Sequence, residues 1–181
     1  MVEQKPRTEA LSVDPQVMEP RLTALFEYWA GLATPQALPP WGGAVGEGFR
    51  LIDLDPDILM ILTIVDAGPA PTDFVYRFWG SGRFLFLGDR PDPTGKPVID
   101  GLNPLNAADV LAQYRAVYDT RRPVLLQNTW ALDNGLNAEC QTLRLPLAAD
   151  DGPDVGKIVA ATKFIRHADE VRRLQENPPQ N

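Results

Sequence analysis

Residues 74–97, FVYRFWGSGRFLFLGDRPDPTGKP, decide how the rest of the chain is read. Phe74 to Trp79 has a strand pattern, and the chain turns at Gly80-Ser81-Gly82, where glycines cannot prolong a well-packed strand. Period two sets Phe74, Tyr76 and Phe78 on one face and Val75, Arg77 and Trp79 on the other. Phe84, Leu85, Phe86 and Leu87 are too apolar for an exposed connection and must cover a sheet. A Pro-rich loop then leads to Thr94-Gly95-Lys96. A strand feeding a compact helical connection beside a sheet is a common wall for a small-molecule pocket.

Upstream, Leu59 to Val65 reads as a first, largely buried strand, closed by Asp66-Ala67-Gly68-Pro69. Thr34 to Phe49 is rich in Pro and Gly and reads as a loop. Leu22, Leu25, Phe26 and Trp29 recur at helical spacing, which predicts an amphipathic helix from Arg21 to about Ala30 with Gly31 as its stop. Packing of this stripe on its own domain is the favoured reading, and it is compatible with Phe26, Tyr28 and Trp29 forming a homodimer seam. Met1 to Pro20 is polar and aperiodic and is expected to be mostly disordered.

Downstream, Asn106 is a predicted cap for a helix from Ala107 to about Thr120, with the apolar stripe Val110, Leu111, Tyr114, Val117 and Tyr118. Arg121-Arg122 suits the helix C-terminus and Pro123 blocks continuation. Val124–Leu132 and Leu136–Leu147 read as strands joined by the hairpin turn Asp133-Asn134-Gly135. A Pro/Gly turn at Asp150–Asp154 precedes a last strand, Val155–Ile165, and a charged tail follows from His167. Strands split two and three around a helical insertion exclude a parallel doubly wound sheet. They predict an α+β fold, an antiparallel sheet with helices on one face.

Composition bounds the function. At 181 residues and 20.0 kDa, with 44% hydrophobic residues, this is one domain with room for tails. A net charge of -7 and a pI near 4.7 disfavour nucleic acid or an anionic membrane as the main partner. The single Cys140 excludes an intrachain disulfide and a multi-cysteine metal site. No apolar signal core opens the chain, and the run Ile58–Val65 is too short to span a bilayer, so the expected location is the cytoplasm without membrane insertion.

Three tempting motifs fail on spacing. Gly42-Gly43-Ala44-Val45-Gly46-Glu47-Gly48 does not give the dinucleotide-binding pattern and follows no strand. Asp53, Asp55 and Asp57 alternate as in a calcium loop, but Ile58 and Ile64 stand where Gly and Glu are needed. Thr94-Gly95-Lys96 is no phosphate loop, because Pro97 stands where a magnesium-binding hydroxyl is required.

Taken in order, the chain resembles a PAS domain, specifically the bacterial family of small, often stand-alone PAS proteins. The matching pieces are Tyr28-Trp29, Asp53-Leu54-Asp55-Pro56, Tyr76-Arg77-Phe78-Trp79-Gly80-Ser81, and Gly88-Asp89-Arg90 through Thr94-Gly95-Lys96. Thr120-Arg121-Arg122-Pro123-Val124 and Leu143-Arg144-Leu145-Pro146-Leu147 complete them. The resemblance implies a five-stranded antiparallel sheet which, with the central helices, encloses a ligand or signal-sensing cavity. It places the PAS-like domain at residues 21–168, N-terminal helix included, with tails at 1–20 and 169–181. It implies a sensory or protein-interaction module, usually homodimeric, with a signalling partner and without catalysis of its own.

The cofactor stays unknown. The flavin-binding cysteine helix is missing, and Cys140 reads better as a small buried hydrophobe than as a chromophore anchor. His167, the only histidine, follows the last strand, which disfavours haem. If Val75, Arg77 and Trp79 face the cavity, Arg77 needs an acidic partner or an anionic ligand, and structural pairing is favoured. Tyr114, Tyr118 and Trp130 are the further candidate ligand residues, with core packing as the plainer explanation. Two alternatives stay open: an enzyme of the nuclear-transport-factor-like fold, which wants an Asp–His or Asp–Tyr pair, and an adaptor whose cavity is filled by side chains.

Overall fold

A computed structural model describes residues 8–43, 46–86, 91–102, 104–131, 137–150 and 152–165. In chain order the elements are β1 (Thr8–Leu11), α1 (Pro20–Leu32), β2 (Trp41–Gly43), β3 (Phe49–Arg50), α2 (Pro56–Ile61) and β4 (Leu62–Asp66). They continue with β5 (Val75–Trp79), α3 (Val98–Gly101), α4 (Pro104–Thr120), β6 (Val124–Ala131), β7 (Asn137–Ala149) and β8 (Gly152–Phe164). The main sheet is antiparallel, in the order β1-β6-β7-β8-β4-β5. The sequence accounts for five of these strands, and the sheet has six.

The additional strand is β1, from a segment expected to be disordered. Thr8 to Leu11 pairs with Asn128 to Leu125 along the edge of β6. Its side chains are largely exposed, so it carries no hydrophobic pattern, and backbone pairing to a distant strand forms it. The start of the first predicted strand is also revised. Asp55 caps a short helix by accepting from the Asp57 amide, Pro56 occupies its first turn, and the strand begins only at Leu62.

Adjacent residues of the central strands divide between two apolar clusters. Leu143, Leu145, Val159 and Ala161 belong to one, with Leu22, Leu25 and Trp29 of α1; Ile158 and Ala160 belong to the other, with Tyr114 and Val117 of α4. Helices therefore cover both faces of the sheet, α1 on one and α3–α4 on the other. Trp29 also donates its indole N–H to the Pro146 carbonyl at 2.8 Å. The α1 stripe is thus spent on its own sheet, and Trp29 is withdrawn from the homodimer seam anticipated for it. Phe26 and Tyr28 remain partly buried.

The Thr94-Gly95-Lys96 segment shields the other sheet edge. Gly95 N–H donates to the Tyr76 carbonyl at 2.7 Å, Tyr76 N–H to Lys96 at 3.1 Å, and Val98 N–H to Phe74 at 2.8 Å. Gly95 takes φ 85°, which glycine adopts without steric cost. Among the described residues, no helix is long and apolar enough to cross a membrane. The turn at Asp133-Asn134-Gly135, Gly88-Asp89-Arg90, His167 and the C-terminal tail lie outside the described residues.

A polar cavity as the candidate functional site

Strand β5 does not keep the simple alternation expected of it. Thr63 opposes Trp79 and Ile64 opposes Phe78, but Val65 opposes Tyr76, which leaves Arg77 as the extra residue of a β-bulge. A slip of one residue exchanges faces. Phe74, Tyr76 and Trp79 consequently pack on the α4 side, and Phe78 packs with the α1 cluster.

Arg77 therefore does not face the cavity. Its side chain is 54% exposed, and its Nε donates to Asp66 Oδ2 at 2.5 Å. Lys157 holds the other carboxylate oxygen at 2.6 Å. Partial burial would raise the Asp66 pKa, but the hydrogen bonds from Lys157 and Arg77 outweigh it and hold the carboxyl below its usual value. The acidic partner that the sequence requires for Arg77 exists, at the surface.

The cavity lies between α4 and the sheet. Its volume is about 30 Å³, room for roughly two water molecules. Trp79 and Tyr114 line it, as do Tyr76 from β5 and Arg83 from the turn after it. Trp79 packs edge-on to Tyr76, their rings 5.1 Å apart. Tyr114 reaches Thr63 Oγ1 across the sheet at 3.3 Å. Tyr118 belongs to the rim of the apolar cluster, edge-on to Phe74 at 5.9 Å, and does not line the cavity. Trp130 pairs with Ala138 in the β6–β7 ladder; its side chain lies outside the described residues.

The polar lining was missed by the sequence reading. Asn128, Thr142, Arg144 and Thr162 come from β6, β7 and β8, Asn106 and Gln113 from α4, and Thr8 from β1. Asn128 Nδ2 donates to Thr142 Oγ1 at 3.0 Å, and the Thr142 and Thr162 hydroxyls lie 3.0 Å apart. Arg144 Nη2 donates to Gln113 Oε1 at 2.6 Å, and Gln113 Nε2 donates to Thr8 Oγ1 at 3.4 Å. A signal for the sheet residues was present. In Leu143-Arg144-Leu145-Pro146-Leu147 the leucines share the α1 face, so period two sends Arg144 to the other.

Burial lowers the pKa of Arg83, whose Nη1 donates to the Ile61 carbonyl at 3.2 Å and whose guanidinium lies 4.8 Å from the centre of the Trp79 ring. Tyr76 is driven upward by burial and stays a neutral phenol. Buried Cys140, in β7, is pushed up to about 12, chiefly by burial. Some buried polar atoms have no hydrogen bond among the described residues: Trp79 Nε1, Asn128 Oδ1 and Arg144 Nε.

An antiparallel sheet that carries its helical insertion between β5 and β6 and closes it over a cavity is the layout implied by the resemblance. The fold is that of a PAS domain. No family model matches the chain, and no curated protein matches it in sequence. Among solved structures, it is similar to a fungal LOV domain photoreceptor at 16% identity and a TM-score of 0.48, over 82% of this chain and 93% of that one. It is also similar to VqmA bound to DPO, at 14% identity and a TM-score of 0.46, over 58% of this chain and 52% of that one. The match thus spans about half the length of VqmA. A PAS domain of a protein from Colwellia psychrerythraea matches at 10% identity and a TM-score of 0.36, over 58% of this chain and 86% of that one. Function has to be argued from the site.

Proposed function

We propose that this PAS domain is a small-molecule-sensing module in which a ligand of few heavy atoms occupies the cavity between α4 and the sheet. The observation that carries the reading is a concentration of polar side chains at that one place in the core, with buried donors and acceptors left without partners. Buried polar groups are ordinarily satisfied, so such a set marks a place where water or a ligand belongs. A cavity filled by side chains would favour the adaptor reading; free volume and unpartnered atoms favour a binding site.

The module works without catalysis of its own. Tyr114 in the cavity is engaged with Thr63, whereas the Asp–Tyr contact that Tyr28 makes with Asp53 at 2.8 Å sits beside α1 and is tied to Arg50. The cytoplasm is the proposed compartment, consistent with Cys140 as a free buried thiol. Two copies associate through the outer side of α1, where Phe26 is only partly buried, and a signalling partner reads the occupied state. Occupancy shifts that output only through differential affinity for its two states. Native mass spectrometry of freshly purified protein tests the central claim. A bound small molecule at stoichiometric occupancy is expected, and a mass equal to the bare chain under several growth conditions would count against it.

A further inference from the structure

The ion pairs and Arg144 present a contrast. Arg21, Arg50, Arg77, Arg115 and Arg121, on the surface, are paired with Asp57, Asp53, Asp66, Asp119 and Asp154 respectively. Arg144, only 5% exposed in the middle of β7, makes no ion pair among the described residues. Its guanidinium lies 3.9 Å from the centre of the Tyr114 ring, a contact that tolerates the cation but provides no anion. Among the described residues its guanidinium makes one hydrogen bond, to the neutral amide oxygen of Gln113, and its Nε makes none. A guanidinium does not shed its proton, and an uncompensated buried charge is strongly destabilising.

Arg83 adds a second guanidinium, and the only carboxylate among the lining residues is Asp109, which is exposed. Two guanidiniums, those of Arg83 and Arg144, thus line this cavity in a chain of net charge -7. Asn128 adds a directional feature. Its Nδ2 is committed to Thr142, so its unpartnered Oδ1 presents an acceptor that calls for a donor.

On the reading that this cavity is a ligand site, we propose that its ligand is a short-chain carboxylate carrying a hydroxyl or amine, with the carboxylate on Arg144 and the donor toward Asn128. A carboxylate replaces the Gln113 amide oxygen as the acceptor on Arg144 and supplies the missing countercharge in bidentate geometry. At about 30 Å³ the cavity is smaller than such a ligand, so the partly exposed Gln113 side chain has to swing out to admit it, and only a small head group fits. The assignment explains why Arg, and not Met or Leu, stands at this buried strand position.

The test is calorimetric titration and thermal melting of the full chain with glycolate, lactate and glycine, with glycolamide and inorganic phosphate as comparators. Saturable binding of at least one carboxylate is expected, at least tenfold tighter than glycolamide or phosphate. Arg144→Met should lower that affinity at least tenfold, while the ligand-free variant melts no lower than wild type because an unpaired buried charge has been removed. Arg144→Lys keeps the charge, loses the fork, and should bind with intermediate affinity if Arg144→Met fails to fold. Preference for phosphate, equal binding of glycolamide, or unchanged carboxylate affinity in both variants would overturn the assignment. If native mass spectrometry finds a neutral ligand in the cavity, the sensing role survives and the carboxylate assignment falls. If it finds no ligand and no probe binds, both fall.

Discussion

Gly80 links the fold to the cavity, and replacing it with alanine tests that link. It follows Trp79 and precedes the turn that carries Arg83, and its N–H donates to the Leu62 carbonyl at 2.8 Å. A Cβ at this position would stand 2.4 Å from the Leu59 carbonyl oxygen and 2.5 Å from that of Met60. Both are backbone atoms near the end of α2, so no side chain can swing away. Restoring a tolerable contact near 3.2 Å from 2.4 Å requires the two segments to part by about 0.8 Å. Overpacking of this kind costs about 2–3 kcal/mol. For a chain of this length each kcal/mol shifts Tm by about 2–4 °C, so Gly80→Ala should melt about 4–12 °C below wild type. Gly31→Ala in α1 is the control, because a Cβ there meets nothing within 4 Å. It should leave Tm unchanged or raise it, by up to about 1 kcal/mol of helix propensity. Circular dichroism melts of the two variants suffice. Coincident melting of Gly80→Ala and wild type would refute the close approach of β5 to α2, and a loss in Gly31→Ala equal to that in Gly80→Ala would refute its local origin.

Three further outcomes follow from the packing and the charges. Leu25→Ala empties a fully buried position under the sheet and should cost about 2–5 kcal/mol in urea unfolding, and a loss below about 1 kcal/mol would contradict the seating of α1. Asp66→Asn removes the acceptor shared by Arg77 and Lys157 and should cost about 1 kcal/mol at neutral pH, given the partial exposure of all three groups. Because the folded carboxyl titrates below its unfolded value of 3.8, this stabilisation is complete above that value and is lost as pH falls through the folded pKa; an undiminished difference between wild type and variant at about pH 3 would contradict it. Cys140, buried with its thiol pushed up to about 12, has a thiolate fraction of roughly one in ten thousand at pH 8, so a disulfide reagent should modify it at least about a hundredfold faster in denaturant than in the native protein.

Much of the fold was legible because its signals are local. The helical spacing of Leu22, Leu25 and Trp29, the Pro123 stop and the apolar strands each lie within one short window. The candidate site was less legible. Trp79 and Tyr114 do meet in the cavity, but Arg77 was assigned to a face on the assumption of unbroken alternation, and the bulge against β4 breaks it. The acidic partner favoured for Arg77 exists in Asp66, and the arginine that is buried at the cavity is Arg144. Nothing within residues 74–79 distinguishes a regular strand from a bulged one, since the difference lies in the register of a partner strand.

By itself the sequence determined the α+β class, the antiparallel sheet interrupted by helices and the self-packing stripe of α1. These follow from periodicity, turn chemistry and fixed spacing, all properties of neighbouring residues. Only the tertiary structure decided that Thr8–Leu11 joins the sheet, that helices cover both of its faces, and that residues from β1, α4 and β6–β8 line one cavity with Arg144. Some of those contacts join segments more than a hundred residues apart, Thr8 to Gln113 among them at a separation of 105. Backbone pairing and desolvation at that range depend on where the whole chain has packed, and no local pattern encodes them.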